Sequence, residues 1–282
     1  MVSAAIPISV VVVTRDEEAR IGACLGALSA FDDVWVVDSG SADRTVEIAR
    51  GCGARVVDFA WDGAYPKKRQ WCLEHLKLAH DWVFFVDADE VVTDALVEEI
   101  AALDLRGCAG FFVDGRYVWN GKMLRYGLRN SKLCLMDRGR MEFPVVDDLG
   151  LDGMGEIEGH YQPVLKDGVC ARIGRLREYL VHDAGAHWEA RHLRYADWEA
   201  GMDARGAWPH DPVLWRRVLK GVFKRIPFRD VAAFLHCYVL KLGFLDGAAG
   251  FDFARSRGRY YSMIRAASKA NRARGRDGVG RG

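Results

Sequence analysis

Short β-branched runs and amphipathic stretches alternate through the first hundred residues. Ile8 to Val13 is a largely apolar run of strand length, and Val34 to Val37, Arg55 to Val57 and Trp82 to Val86 repeat the pattern. Thr45 to Arg50 and Lys67 to Ala79 read as helices, the second with Trp71, Leu73, Leu76 and Leu78 available for packing. This alternation predicts βαβ units and a mainly parallel sheet. Thr14, followed three residues later by Glu17, has the spacing of a helix capping box. Asp38-Ser39-Gly40-Ser41-Ala42-Asp43 is a turn rich in residues that cap helices and bind ligands. Functional side chains of open α/β sheets gather at the carboxyl ends of strands, so Asp38 and Asp87 are placed at a mouth.

Beyond Gly107 the regular alternation stops. Gly110 to Val118 and Leu133 to Met136 are predicted strands among glycine-rich connections, a second and substrate-facing half of the same domain. From Leu214, basic helical segments flank Val231 to Phe253, which is apolar overall but holds His236, Lys241, Asp246, Asp252 and three glycines. A spanning helix wants ~20 mostly apolar residues without such charges, so this stretch is predicted to lie in an interface. The expected organisation is a catalytic domain over residues 1–205 and a basic, apolar, membrane-associating helical region over 206–282. The catalytic domain divides into a nucleotide-sugar half, 1–105, and an acceptor half, 106–205.

Charge adds direction. Forty Lys and Arg against 39 Asp and Glu give no sign of a nucleic-acid binder. Acids dominate from Asp81 to Glu99, whereas Arg255 to Arg281 is basic with Asp277 as its one acid, a distribution suited to an anionic lipid surface or a solvated tail. The seven cysteines include no CxxC pair, which points to a reducing compartment. Met1 to Pro7 lacks the charged start and apolar run of a signal peptide, so the catalytic part is expected in the cytoplasm.

Asp87-Ala88-Asp89 offers two carboxylates after a buried strand, the oxygen ligands that hold Mg²⁺ or Mn²⁺ against substrate phosphates. Read alone, the same acids also suit a helix N-terminus. Ile8 to Glu17, then Val36 to Thr45, then Val86 to Glu90 stand in the order and spacing of family 2 glycosyltransferases, and the chain resembles that family over nearly all its length. The resemblance implies a GT-A type, Rossmann-like mixed sheet flanked by helices, a UDP-sugar donor (UDP-glucose first), a divalent metal and inverting transfer. It places Thr14, Asp16, Glu17, Asp38, Ser39, Arg69, Asp87, Ala88 and Asp89 around the nucleotide and sugar, with Asp89 on the metal. Asp16 stands where the family usually has Asn.

Lys67-Lys68-Arg69-Gln70 opens a helix, where cations are unfavourable unless an anion such as a diphosphate lies near; solvated lysines are the plainer reading. By resemblance Arg69-Gln70 enters the nucleotide pocket. Inversion needs one carboxylate to take the acceptor proton. Asp148, in Val145-Val146-Asp147-Asp148-Leu149, matches the family's base most closely, with Asp147, Glu156 and Glu158 as rivals. His187 and His192 are five apart and do not form HExxH, so zinc is not expected at His182, His187 and His192. Leu240 to Phe251 resembles a carboxyl-terminal segment of enzymes building lipopolysaccharide core and related envelope glycans. The implied acceptor is a lipid-linked saccharide or lipopolysaccharide core, met by a peripheral protein on the cytoplasmic face of the inner membrane. The contrasting readings are a noncatalytic nucleotide- or glycan-binding scaffold of the same fold, and a nucleotidyltransferase. The latter requires a glycine-rich loop that Thr14-Arg15-Asp16-Glu17 does not supply.

Overall fold

In the first strand, β1 (Ile6–Thr14), every residue but Pro7 is buried, and parallel neighbours pair with both of its edges, as in a central strand of a sheet covered on both faces. The computed structural model describes residues 5–158, 161–184, 188–209, 211 and 213–279. After β1 come α1 (Ile21–Gly26), β2 (Phe31–Asp38), α2 (Thr45–Gly51), β3 (Arg55–Asp58), α3 (Lys68–His75), β4 (Trp82–Asp87), β5 (Glu90–Val92) and α4 (Asp94–Ala101). The strands β6 (Cys108–Trp119), β7 (Lys122–Met123), β8 (Asn130–Asp137), β9 (Met141–Glu142), β10 (Val164–Leu165) and β11 (Arg172–Asp183) follow. The chain then turns helical with α5 (Trp188–Arg205), α6 (Leu214–Arg225), α7 (Arg229–Leu235) and α8 (Gly247–Val279).

Two compact units result. The first comprises Met1–Val118, Arg129–Phe143 and Gln162–Ala184. Its sheet runs β3-β2-β1-β4-β8-β6-β11-β5, parallel from β3 to β4 and then mixed, with β8 antiparallel to both β4 and β6. The α/β fold with a mixed sheet flanked by helices is therefore the observed one. Its parallel half is tied beneath the strands by Asp33, a buried carboxylate that accepts from Ser9 Oγ at 2.6 Å, Trp35 Nε1 at 2.8 Å, Arg55 at 2.9 Å and the Ala79 amide at 2.8 Å. One side chain thus joins β1, β2, β3 and the segment entering β4.

The second unit comprises Trp119–Leu128, Pro144–Tyr161 and Gly185–Gly282. Here α8 packs along α5 and α7. Trp198 is buried on α5, and Trp119 meets Trp188 and Phe253 edge-on at 6.0 and 5.4 Å. Buried Asp246 accepts from the amides of Arg125 at 3.2 Å and Tyr126 at 2.8 Å, fixing the 119–128 loop on this unit.

Two expectations change, and one stretch gains detail. No helix follows Thr14 directly: Asp16 takes a left-handed φ of 53°, and the chain loops until α1 starts at Ile21, with no side-chain cap. The helix expected to reach Ala79 ends at His75, because Leu76 turns extended with ψ 139°. The stretch Val231 to Phe253 is not one continuous element but bends sharply. Among the described residues no single helix is long and apolar enough to cross a membrane, and Arg229–Leu240 with Gly243–Ala273 forms a pair bent by 71°.

Candidate functional site

In the first unit, register brings three strand ends together. Thr14 is paired with Asp38 across β1 and β2, and Val13 with Asp87 across β1 and β4. The loops beyond them are zipped: the Asp16 amide donates to Ser41 Oγ at 2.8 Å, Asp16 Oδ1 accepts from the Ala42 amide at 2.8 Å, and the Glu17 amide donates to Thr45 Oγ1 at 2.7 Å. Left-handed backbone is most tolerable for Asn or Asp, which explains why an acid can stand at position 16 where Asn is usual. Asp38, buried, accepts the amide and hydroxyl of Ser41 and so shapes its own turn. Glu17 bonds Arg20 at 2.6 Å.

Lys68 departs furthest from the sequence reading. Lys67 and Lys68 are not solvated; both are about 1% exposed. Lys68 Nζ donates to Thr14 O at 3.1 Å and Ser39 Oγ at 2.6 Å, placing a cation under the ends of β1 and β2. Lys67 lies over the rings of Trp61 and Tyr65. Beside them Thr14 Oγ1 is buried with no hydrogen-bond partner among the described residues. A buried hydroxyl without a partner costs free energy, and a ligand oxygen or hydroxyl placed there would relieve that cost.

The acidic end of β4 is equally organised. Asp87 accepts from Arg69 at 2.8 Å on one oxygen and from Lys132 at 2.7 Å on the other. Lys132 Nζ also lies 2.6 Å from Glu90, whose second oxygen accepts from the Asp87 amide at 3.0 Å. Burial works to raise the Asp87 pKa, but the Lys132 ammonium and Arg69 guanidinium outweigh it and hold the carboxyl well below the usual range. Burial likewise opposes the Lys132 charge, yet Asp87 and Glu90 push its pKa up. His182, opposite Glu90 in the β5 and β11 pairing, approaches Asp89 at 3.5 Å and Glu90 at 3.4 Å, with Tyr117 edge-on at 5.4 Å. Ala88 is buried between the two aspartates.

Thr14, Asp16, Glu17, Asp38, Ser39, Arg69, Asp87, Ala88 and Asp89 thus all lie on the first unit around the carboxyl ends of β1, β2 and β4. Lys68, Glu90, Lys132 and His182 join them and carry no motif signal: a buried cation on a strand looks like any surface lysine until its partners are known. Among the described residues no group of three or more His, Cys, Asp or Glu forms a cage for a metal ion. Both Asp87 oxygens are engaged by cations, so Asp89 is the neighbouring carboxylate that a hard cation such as Mg²⁺ or Mn²⁺ would have to use.

Asp148 lies on the second unit. It is buried, and Oδ2 accepts from Trp198 Nε1 at 3.0 Å. Asp147 is exposed and paired with Arg205 at 3.0 Å, whereas Glu158 is buried. His192 stacks on Trp188 at 4.2 Å, a packing role, and His187 lies outside the described residues.

An uncharacterized glycosyltransferase of Rickettsia typhi is 37% identical over 94 residues, 33% of this chain and 31% of that protein. The lipopolysaccharide core biosynthesis glycosyltransferase LpsC of Rhizobium meliloti is 26% identical over 182 residues, 57% of this chain and 66% of that one. The chain spans about a third of the length of the first curated relatives it matches. A crystal structure of glucosyl-3-phosphoglycerate synthase from Mycobacterium tuberculosis, with Mn²⁺, UDP and glucosyl-3-phosphoglycerate, is 27% identical over 42% of this chain and 46% of that chain, at TM-score 0.32. Residues 9–157, which run from the middle of β1 through the acidic cluster and past Asp148, match the model of glycosyl transferase family 2, and the chain belongs to that family.

Proposed function

We propose that the chain moves a hexose from a UDP-sugar, UDP-glucose first, to a lipid-linked or lipopolysaccharide-core acceptor with inversion, at the cytoplasmic face of the inner membrane. Residues 1–205 are the catalytic portion in this reading. The observation that carries it is the convergence, at the carboxyl ends of β1, β2 and β4, of a buried Thr14 hydroxyl with no partner among the described residues, buried Lys68, the cation-clamped Asp87 and its buried neighbour Asp89. The acceptor class rests on the likeness to LpsC and on the carboxyl-terminal resemblance.

The donor's UDP lies along the ends of β1 and β2, with Thr14, Asp38 and Ser39 toward the nucleoside and Arg69 toward the diphosphate. Arg69 and Lys132 keep Asp87 ionised and fixed, so that it accepts hydrogen bonds from sugar hydroxyls without reorganising. Asp89 would hold Mg²⁺ or Mn²⁺, which would supply neutralisation of the charge on the departing diphosphate. Asp148 takes the acceptor hydroxyl proton while the acceptor oxygen bonds the anomeric carbon and the bond from that carbon to the phosphate oxygen breaks, releasing UDP. The Trp198 indole fixes the orientation of that carboxylate.

The test is release of UDP from a panel of UDP-sugars with Mn²⁺ or Mg²⁺, followed by transfer to a core oligosaccharide. Asp89→Ala is expected to lower turnover by about two orders of magnitude while leaving the unfolding midpoint in place. Near-normal turnover in that variant ends the metal assignment, and no UDP release from any donor ends the enzymatic reading.

A further inference from the structure

The second unit presents an apolar surface that water alone does not explain. On α6, Leu214, Trp215, Val218, Leu219 and Val222 recur at the spacing of one helical face, and all are exposed, Leu214 at 64% and Trp215 at 59%. No residue of α6 is buried. The bend between α7 and α8 repeats the feature: Val239, Leu240, Leu242, Phe244 and Leu245 are exposed, Leu240 at 73%. Apolar exposure repeated along one helical face and again at a bend marks an interaction surface.

Backbone conformation singles out the same places. Phe228, just before α7, and Leu242, in the bend, hold left-handed φ values of 60° and 58°. Such a conformation is disfavoured for a non-glycine residue. In the bend, Gly243 follows Leu242, and a Cβ at Gly243 would stand 2.7 Å from the Cys237 carbonyl oxygen. The chain is thus closely packed behind the bend while its leucines face outward.

Charge identifies what covers the surface. Every acid from position 203 to 252 is engaged within the unit. Asp203 bonds Trp208 and Lys224, Asp211 bonds Arg216 and Lys220, and Asp230 bonds Ser262 and Arg265. Asp246 takes the amides of Arg125 and Tyr126, and Asp252 takes Trp119 and Arg255. Exposed Arg217, Arg225 and Lys241 have no acidic partner among the described residues. They stand among the exposed apolar side chains, so the surface is apolar with uncompensated positive charge. A second copy of the chain would set those cations against each other across a two-fold contact. An anionic bilayer supplies both an apolar phase for the stripe and negative charge for the cations.

We propose that the second unit docks on an anionic lipid surface, with α6 lying in the membrane plane and the Val239 to Leu245 bend inserted, and without a spanning helix. The proposal stands on this surface alone and holds whatever sugar is transferred. The test is flotation of the full chain with vesicles of phosphatidylcholine, alone or mixed with phosphatidylglycerol, at low and high salt. Flotation is expected on the mixed vesicles, much more weakly on the neutral ones, and only partly lost in salt. Trp215→Glu with Leu219→Glu should weaken binding to the mixed vesicles at least ~tenfold, since each side chain forfeits its apolar burial and sets a negative charge against anionic lipid. Arg217→Gln with Arg225→Gln should weaken it by about tenfold or more and flatten its salt dependence. Both double variants change only exposed side chains and should melt as the parent does. Failure to float at low salt, equal binding to both vesicle types, or glutamate variants that float like the parent overturns the proposal. A concentration-dependent dimer lost in the glutamate variants, without flotation, assigns the face to a second copy instead.

Discussion

Asp87, Asp89 and Glu90 crowd four consecutive positions at the end of β4 and the start of β5, and without compensation they would repel one another. Lys132 reaches into this group with contacts of 2.7 and 2.6 Å to Asp87 and Glu90. Removing one member of such a buried set strands the others, at a cost of about 3–5 kcal/mol. Lys132→Met is therefore expected to lose about that much stability in urea unfolding, and adding Glu90→Gln should restore part of it by removing one stranded charge. Loss in the double variant equal to the sum of the single losses would show that the two residues are not coupled. At the other candidate site, Asp148→Asn keeps the volume and the place beside Trp198 but cannot take a proton. Transfer should fall by a factor of about 10² to 10⁴ with UDP-sugar affinity unchanged. If calorimetry instead finds donor affinity gone, Asp148 serves the donor and the base must be sought at Asp147 or Glu156.

The loop that carries Asp148 meets α5 at a point where only glycine fits. Gly153 has a φ of +114°, and a Cβ there would stand 2.1 Å from the Arg194 carbonyl oxygen and 3.2 Å from Trp198 Cβ. Gly153→Ala must push the loop off the helix that presents Trp198. It is expected to cost about 2–4 kcal/mol of stability and to reduce transfer, with UDP affinity retained. A variant that melts and turns over like the parent would show that the loop is not held against α5. The parallel strands β1, β2 and β4 were legible because buried parallel strands are written as apolar runs, and α2 and α3 because apolar positions recur between those runs at helical spacing. Strand β11 gave no comparable signal: only Leu176 and Leu180 of its twelve residues are buried, so neither alternation nor an apolar run marks it. The capping-box spacing at Thr14 misled for a physical reason. The Glu17 amide is satisfied by Thr45 Oγ1, a partner 28 residues away that no local pattern reveals. The acids of the candidate site were legible as motif positions. Lys68, Lys132 and His182 were not, because their significance lies in burial beside distant partners.

Across the molecule, the carboxylates that hold elements together set its response to acid. Burial tends to raise the pKa of Asp33, but hydrogen bonds from Ser9, Ala79 and Trp35, with Arg55 nearby, bring it below its ordinary 3.8. In the second unit the same opposition favours the ionised form of Asp211: burial raises its pKa, and bonds from Lys220, the Val213 amide and Arg216 lower it further. A carboxyl group whose folded value lies below its unfolded value contributes stability that is fully present above the unfolded pKa. That contribution is lost as pH falls through the folded value. Both units should therefore keep their stability down to about pH 4 and lose it progressively below, as protonated Asp33 releases the ties beneath β1, β2 and β3 and protonated Asp211 releases Arg216 and Lys220 of α6. Asp33→Ala leaves several buried donors without an acceptor and is expected to cost about 3 kcal/mol at neutral pH, with a shallower fall in acid than the parent. Asp211→Asn, more exposed to solvent through its partners, should cost about 1 kcal/mol and flatten only its own part of the fall. Urea midpoints for the parent and both variants, measured from pH 7 downward, decide the matter. Curves that descend in parallel would mean that neither aspartate is protonated differently in the folded and unfolded chains, and the acid response would then have to arise elsewhere.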